Sequence, residues 1–157
     1  MAKLDLKLIC TDVDGTLTDG KIYIGPNGEL FKSFHVRDGM GITLAKKKGI
    51  IFAIITGRKS EIVEYRARDL GIDEIYQNVE DKKEVVRSLR LKYKLRKEQV
   101  AYLGDDVNDV VIKDLVGLFA VVGDAHPAAK KEAHLVLKSY GGQGALRELL
   151  DLYVLGE

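Results

Sequence analysis

Asp12-Val13-Asp14-Gly15-Thr16 is the stretch that decides the fold, because it follows directly on the largely apolar run Leu6–Cys10. The run is typical of a buried strand, and the glycine is typical of the turn that ends it. Carboxylates at such a strand end lose hydration, which costs free energy unless a cation or hydrogen-bond donors compensate. A divalent cation is the usual partner, and one carboxylate can then act as a nucleophile and the other as a proton donor. Alone, however, the stretch is more typical of a turn than of a catalytic site.

Short apolar segments alternate with longer amphipathic ones along the rest of the chain. The pattern predicts strands at Lys7–Thr11, Ile50–Thr56, Glu74–Gln77, Val100–Gly104 and Leu118–Val122. It predicts helices near 39–48, 60–70, 82–95, 107–116 and 144–155. Strands that are apolar on both faces and alternate with helices predict an α/β fold, a parallel sheet covered by helices. Ligands in such folds bind beyond the carboxyl ends of the strands.

One segment interrupts this alternation. Residues 21–33 predict a small β-hairpin insertion, with its turn at Gly25–Gly28. The hairpin comes just after the acidic loop, so we expect it to project beside that loop. Exposed aromatic side chains there, from Tyr23, Phe31 and Phe34, would need to be covered and indicate a surface for a partner.

Two further strand ends carry groups that suit a phosphate. Thr56 ends a predicted strand and is followed by Gly57, so a hydroxyl and open backbone N–H groups can hold a phosphoryl oxygen. Lys82 opens a predicted helix, where a fixed ammonium can neutralise both a phosphate and a carboxylate nucleophile. Each feature alone is more typical of an ordinary turn or a solvated surface lysine.

A second acidic cluster, Gly104–Asp109, follows the predicted strand that ends at Gly104. Capping of the next helix by Asp106 explains one or two of its acidic residues, but not three acids together with Asn108. Carboxylates from two strand ends complete an oxygen-rich site of the kind that Mg²⁺ prefers.

The four motifs DxDGT, Thr-Gly-Arg, Lys and GDDxxD, in that order, resemble those of the haloacid dehalogenase superfamily of aspartate-nucleophile phosphatases. The resemblance spans Leu8–Asp109 and implies a Rossmann-like three-layer core with helices on both faces and Mg²⁺-dependent phosphoryl transfer. It implies that Asp12 is the nucleophile and Asp14 the general acid and base. Thr56 and Lys82 would hold the phosphate.

The same resemblance implies a metal site. Asp12, the backbone carbonyl of Asp14 and Asp105 would be the ligands of Mg²⁺, with Asp106 and Asp109 behind them. Many relatives insert a cap domain after the first or second motif. The intervals 12–56 and 56–82 have room only for the hairpin, two helices and one strand, so we expect no cap domain and an open site.

A closer resemblance covers nearly the whole chain. The stretches Phe34–Gly39, Asp124–Pro127 and Gly141–Glu148 are similar to those of 3-deoxy-D-manno-octulosonate 8-phosphate phosphatases, enzymes of lipopolysaccharide precursor synthesis. The resemblance implies a homotetramer in which hairpins associate and neighbouring subunits share the active sites.

The closer resemblance also implies which residues bind the substrate. Arg37 and Arg58, with Gly57, would help to recognise the carboxylate and the phosphate of the sugar acid, since guanidinium groups suit such anions. A structural salt bridge is an equally good reading of either arginine. In the tail, residues 141–157, Gln143 stands where an arginine is frequent, which leaves the role of this position open.

The composition excludes several other classes of function. The 157 residues fit one domain, 1–157, and are 46% hydrophobic and 31% charged, as in soluble globular proteins. The 25 Lys and Arg against 24 Asp and Glu leave a net charge of +1, so electrostatics favours neither nucleic acid nor a membrane as partner. The single cysteine, Cys10, cannot form an internal disulfide, and the N-terminus lacks the pattern of a signal peptide. We therefore expect a cytoplasmic protein.

Two alternatives remain open. The substrate can be another sugar acid phosphate, such as a nine-carbon deaminated neuraminic acid 9-phosphate, although Arg37 and Arg58 favour the eight-carbon type. A receiver-like signalling module would also place acids, a threonine and a lysine at strand ends. Receivers carry their acceptor aspartate on a later strand, and the corresponding region here ends in Gln77-Asn78.

Overall fold

The structure is a computed structural model and describes residues 4–156. Its strands are β1 (Leu8–Thr11), β2 (Tyr23–Gly25), β3 (Gly28–Phe31), β4 (Ile51–Ile55), β5 (Glu74–Tyr76), β6 (Val100–Gly104), β7 (Leu118–Val121) and β8 (Leu135–Val136). Six of them form one sheet in the order β5-β4-β1-β6-β7-β8, and every neighbouring pair is parallel. The predicted parallel sheet is confirmed.

Helices connect these strands. They are α1 (Val36–Lys47), α2 (Glu61–Asp69), α3 (Lys82–Tyr93), α4 (Pro127–Glu132) and α5 (Ala145–Leu150), with 3₁₀ helices at Lys97–Gln99 and Val107–Leu115 and a π-helical turn at Asp151–Leu155. Following the chain, strands β4 and β5 extend the sheet on one side of β1, and strands β6, β7 and β8 then extend it on the other side. Because crossovers between parallel strands are right-handed, this reversal places helices on both faces of the sheet. The contacts agree, since α1 packs with α5, whereas α3 and α4 pack with the longer 3₁₀ helix.

The core lies between the sheet and these two helical layers. All four residues of β1 are buried, as are all five of β6, because strands at the centre of a parallel sheet are covered on both faces. The tail joins the same core through Leu146 and Leu149, both fully buried. No helix in the described part of the chain has the length and apolarity needed to cross a membrane.

The predicted hairpin is confirmed as the antiparallel pair β2–β3, a separate two-stranded sheet. Tyr23 stacks on Phe31 with ring centroids 4.3 Å apart, and Tyr23 is half-buried as a result. Phe34 is also half-buried, beneath the guanidinium of Arg66 at 5.4 Å, so the expectation that Phe34 needs covering by a partner is wrong. Phe31 is 50% exposed, as predicted, and the exposed surface of the hairpin also carries aliphatic side chains, namely Ile22, Ile24 and Leu30.

Several element boundaries differ from the predicted ones for local reasons. Helix α1 begins at Val36 rather than Gly39, because the His35 side chain caps it by accepting from the backbone N–H of Arg37. Gly39 lies inside the helix because the helix packs closely there. A Cβ at this position would lie 2.8 Å from the guanidinium of Arg66. The segment 107–115 is a 3₁₀ helix rather than an α-helix, and the two-residue strand β8 is too short to leave a pattern in the sequence.

The connections after β1 and β4 carry only the hairpin and single helices. No cap domain is therefore present within residues 4–156, as predicted. The carboxyl edge of the sheet is left open beside the hairpin.

Candidate active site

The sheet brings three of the candidate residues to one edge. Asp12 follows β1, which lies between β4 and β6, and these two neighbours are followed by Thr56 and Asp105. The pairing of β1 with β6 extends to Asp12, whose backbone N–H donates to the carbonyl of Leu103 at 3.0 Å. Because parallel strands end on the same side, the motifs meet although they are far apart in the sequence.

Three carboxylates form the centre of the site. Asp12, Asp105 and Asp109 each offer an oxygen, and these atoms lie within 4.8 Å of one another. Burial, followed by the negative charge of Asp109, raises the pKa of Asp12 to about 6, although Lys82 opposes the shift. Burial and then the charges of Asp12 and Asp109 raise the pKa of Asp105 to about 8. Part of both shifts comes from repulsion between the carboxylates, and a bound cation would relieve that repulsion. A donor set made only of oxygen atoms fits Mg²⁺.

Glycine gives the acidic loop its close approach to this cluster. Gly15 has a backbone φ of +84°, a conformation that residues with a side chain rarely adopt. A Cβ at this position would also lie 2.0 Å from Oδ2 of Asp105. Next to it, the hydroxyl of Thr16 donates to Oδ1 of Asp105 at 3.4 Å. The loop after β1 is therefore shaped to fit around the carboxylate of the neighbouring strand end.

Asp109 has a different environment from the other two carboxylates. It is fully buried, and its Oδ1 accepts from Lys82 Nζ and from the hydroxyl of Tyr102, both at 2.7 Å. Its Oδ2 accepts from the backbone N–H groups of Asp105 and Asp106 at 3.0 and 3.3 Å. Protein donors thus occupy both oxygens of Asp109, which leaves Asp12 and Asp105 as the side chains better able to bind a metal.

Lys82 is a buried ammonium at the start of α3. Its side chain is 4% exposed, and Nζ lies 2.7 Å from Asp109 and 3.5 Å from Asp12. Burial lowers the pKa of Lys82, but the negative charges of Asp12 and Asp109 outweigh burial and raise the pKa. The lysine is therefore held charged and beside the Asp12 carboxylate, where a phosphoryl group would carry negative charge.

Asp14 does not join the carboxylate cluster. Its side chain is 25% exposed and turns towards the hairpin, where Oδ1 accepts from Lys32 Nζ at 2.6 Å. Lys32 also binds Glu29 at 2.9 Å. The two aspartates of the opening stretch therefore differ in environment, one buried among charges and the other at the mouth of the site.

The remaining predicted residues of this edge follow strands β4 and β6. Thr56 is buried at the end of β4, and its backbone N–H donates to Tyr76 at 2.9 Å. Gly57 and Arg58 are exposed beside it, and the Arg58 guanidinium lies 3.9 Å from the Glu29 carboxylate. Asp106 is exposed and caps the 3₁₀ helix through its hydrogen bond to the N–H of Val107.

Arg37 lies against the tail rather than in the carboxylate cluster. It lines an open cleft of about 510 Å³ together with tail residues that include Gln143 and Arg147. Its backbone carbonyl accepts from the guanidinium of Arg147. The cleft thus joins two residues that the sequence singled out, Arg37 and Gln143, on one surface.

Sequence reasoning missed three residues that contact the site. Lys32 binds Asp14, Tyr102 binds Asp109, and Glu29 binds Lys32. Tyr102 stands inside the predicted strand Val100–Gly104, where nothing in the sequence distinguishes it from a residue of the core. Lys32 follows two apolar residues of the hairpin, and nothing in the sequence distinguishes it from a solvated lysine.

Comparison with known proteins identifies the family. The sequence model of the family of haloacid dehalogenase-like hydrolases matches residues 72–149 of this chain. The 3-deoxy-D-manno-octulosonate 8-phosphate phosphatase KdsC of Escherichia coli is 46% identical over an alignment of 158 positions, which covers 100% of this chain and 84% of that protein. The crystal structure of the phosphatase of the same name from Yersinia pestis superimposes with a TM-score of 0.94 at 44% identity, covering 97% of this chain and 82% of that one.

A third relative has been solved with ligands. The 3-deoxy-D-manno-octulosonate 8-phosphate phosphatase of Moraxella catarrhalis, in complex with a magnesium ion, a phosphate ion and a KDO molecule, has a TM-score of 0.92 at 36% identity and covers 98% of this chain and 88% of that one. Similarity of this degree extends over the whole chain and over most of each relative. The chain therefore belongs to the 3-deoxy-D-manno-octulosonate 8-phosphate phosphatase family of the haloacid dehalogenase-like hydrolases.

Proposed function

We propose that this chain is a Mg²⁺-dependent phosphatase that hydrolyses 3-deoxy-D-manno-octulosonate 8-phosphate to the free sugar acid and phosphate. The observation that carries the proposal is the buried Asp12 carboxylate, with Lys82 3.5 Å from it and Asp105 from the neighbouring strand end beside it. The relative from Moraxella catarrhalis, bound to magnesium, phosphate and KDO, supports the metal and the substrate.

Three groups would hold the metal. These are the carboxylates of Asp12 and Asp105 and the backbone carbonyl of Asp14. Mg²⁺ supplies positive charge that offsets the negative charge of the phosphoryl group and of the nucleophile. Burial, and then repulsion by Asp12 and Asp109, raises the pKa of Asp105 to about 8, and the repulsion is the feature of the chain that favours such an ion.

The reaction proceeds in two displacements at phosphorus. An oxygen of Asp12 attacks the phosphorus, the bond to the sugar oxygen breaks, and an aspartyl phosphate forms. Asp14 gives its proton to the departing oxygen, so the sugar acid leaves as an alcohol. Asp14 then takes a proton from water as the water oxygen attacks phosphorus, and the bond to Asp12 breaks to release phosphate. Lys82 and Thr56 hold the phosphoryl oxygens throughout.

Recognition of the sugar acid would involve the exposed groups around this centre. Arg58 and the open backbone at Gly57 follow Thr56 directly and suit the phosphate end of the substrate. Arg37 lies farther along the surface, in the cleft beside the tail, and would serve the substrate carboxylate.

Assembly, location and pathway complete the proposal. Exposed aliphatic side chains on the hairpin favour association with a partner, because a separate two-stranded sheet leaves its apolar side chains uncovered. The partner would be a second copy of this chain, in the homotetramer with shared active sites that the family resemblance implies. The 157 residues would form one domain, since the described strands and helices share one hydrophobic core. The enzyme would act in the cytoplasm, in the synthesis of a lipopolysaccharide precursor.

A panel of sugar phosphates assayed with Mg²⁺ tests this function. We expect the highest kcat/KM for 3-deoxy-D-manno-octulosonate 8-phosphate, many turnovers per chain, and loss of activity with a chelator. A preference for a nine-carbon sugar acid 9-phosphate would replace the substrate. A single turnover that leaves a stable phosphoprotein would instead indicate a receiver-like module.

A further inference from the structure

Lys32 is a buried lysine without an assigned role. It follows directly on β3, its side chain is 3% exposed, and Nζ lies 2.6 Å from Asp14 and 2.9 Å from Glu29. Both distances are those of ion pairs, so two carboxylates surround the ammonium of Lys32. Fixing and dehydrating a lysine side chain costs entropy and solvation free energy. The contacts with the two carboxylates offset that cost.

Glu29 extends the contact to a second loop of the site. Its Oε1 accepts from the hydroxyl of Ser60 at 2.5 Å, and Ser60 is the N-cap of α2. Arg58, two residues earlier, lies 3.9 Å from the same carboxylate. A continuous series of contacts therefore runs from Asp14 through the hairpin to the loop after β4.

The contact with Lys32 involves only one oxygen of Asp14. Lys32 binds Oδ1, and no hydrogen bond identified within residues 4–156 involves Oδ2. A carboxyl group held by one oxygen has less freedom to rotate, while the other oxygen is free to exchange a proton. A general acid and base needs this arrangement, because it must meet first the leaving oxygen and then water at nearly the same place.

We propose that Lys32 is a positioning residue that holds the Asp14 carboxyl group where it transfers protons. The proposal rests on the proposed phosphatase function. With its proton on Oδ2 and with Oδ1 held by Lys32, Asp14 gives that proton to the sugar oxygen as the bond from that oxygen to phosphorus breaks and an oxygen of Asp12 bonds to phosphorus. Asp14 then takes a proton from the attacking water as the bond between Asp12 and phosphorus breaks. Without Lys32 the nucleophile and Lys82 stay in place, so binding and attack persist while both proton transfers slow.

The variant Lys32→Met, with two substrates, separates this role from a structural one. p-Nitrophenolate leaves without being protonated, so kcat/KM for p-nitrophenyl phosphate should stay within a few-fold of wild type. kcat/KM for the sugar acid phosphate should fall about 10²-fold, the lower end of what general acid catalysis contributes. Hydrolysis of the aspartyl phosphate still needs a base, so the aryl substrate should give a burst of one nitrophenolate per chain and then a slow steady state.

A matched control and a conservative variant complete the experiment. Lys92→Met removes another lysine–glutamate pair, with Glu74 at 2.5 Å, and should change neither rate. Lys32→Arg keeps the positive charge but changes the geometry of the contact, so kcat/KM for the sugar acid phosphate should fall selectively, but by less than in Lys32→Met. If Lys32→Met does not fold, Lys32→Arg provides the test. Equal losses on both substrates without a burst, or unchanged rates, would overturn the proposal. If wild type hydrolyses the aryl phosphate but not the sugar acid phosphate, the substrate assignment fails while the burst still decides the role of Lys32.

Discussion

Asp12 is influenced by charges of both signs, and its neighbours explain how a buried carboxylate can be a nucleophile. Lys82 stabilises the charged form of Asp12, whereas burial and Asp109 oppose it and leave its pKa at about 6. The backbone N–H of Val13 donates to Oδ1 at 2.8 Å, which fixes one oxygen. The side chain is therefore oriented by the protein and charged at neutral pH.

Asp12→Asn should abolish turnover without unfolding the protein. An amide cannot form the aspartyl phosphate, and removal of a nucleophile from a catalytic unit costs about 10⁴-fold or more in kcat. The melting temperature without metal should stay level or rise, because the substitution removes one of three mutually repelling carboxylates. The measurements are steady-state kinetics and thermal melting, with Asp69→Asn on the exposed surface of α2 as the control. Phosphatase activity near wild type would contradict the assignment of the nucleophile.

At the scale of elements, the hairpin would link the proposed catalysis to the proposed assembly. Within residues 4–156 its strands pair only with each other, so their conformation depends on the contacts of Lys32 and Glu29 with the loops of the site. Its outer surface carries Ile24 and Leu30, exposed by 71% and 61%. A partner that covers this surface would also restrain the hairpin that holds Asp14.

Ile24→Lys should therefore dissociate the proposed tetramer and lower activity. A charge on an apolar contact surface opposes association, because the lysine would lose hydration there. Sedimentation velocity should show a tetramer for wild type and a smaller species for the variant. Leu91→Lys, on α3 and 79% exposed, is the matched control and should leave the assembly unchanged. A wild-type chain that is a fully active monomer would exclude the shared-site arrangement.

The same scale shows which features the sequence could predict. The sheet was predictable, because each central strand is a short apolar segment between turn signals and amphipathic helices. The meeting of Asp12 with Asp105 follows from parallel strands, which place their carboxyl ends at one edge. Strand β8 was not predictable, since its two residues form a strand only by pairing with β7. The contact of Lys32 with Asp14 was not predictable either, because it depends on how the hairpin packs on the loop.

At the scale of the whole molecule, the buried carboxylates reduce the stability of the metal-free fold as pH rises. Asp12 and Asp105 have folded-state pKa values of about 6 and about 8, above the usual 3.8. The folded state therefore binds more protons than the unfolded state between about pH 4 and pH 8. The contribution of these groups is greatest at the low end of this window and is lost as pH rises through 6 and 8. His134 acts in the opposite sense, since burial lowers its pKa.

Mg²⁺ should consequently raise the melting temperature more at pH 8 than at pH 6. At pH 8 the ion meets an ionised Asp12 and an Asp105 that is about half ionised, whereas at pH 6 it must displace more protons to bind. Calorimetric melting of the metal-free and Mg²⁺-saturated protein from pH 5 to about pH 8.5 measures both effects. Asp105→Asn is the informative comparison, because it retains His134 and the rest of the chain but removes the group with the higher pKa. In that variant both the fall in stability towards pH 8 and the stabilisation by Mg²⁺ should shrink. An equal Mg²⁺ shift at the two pH values in wild type would mean that the ion binds elsewhere than at these carboxylates.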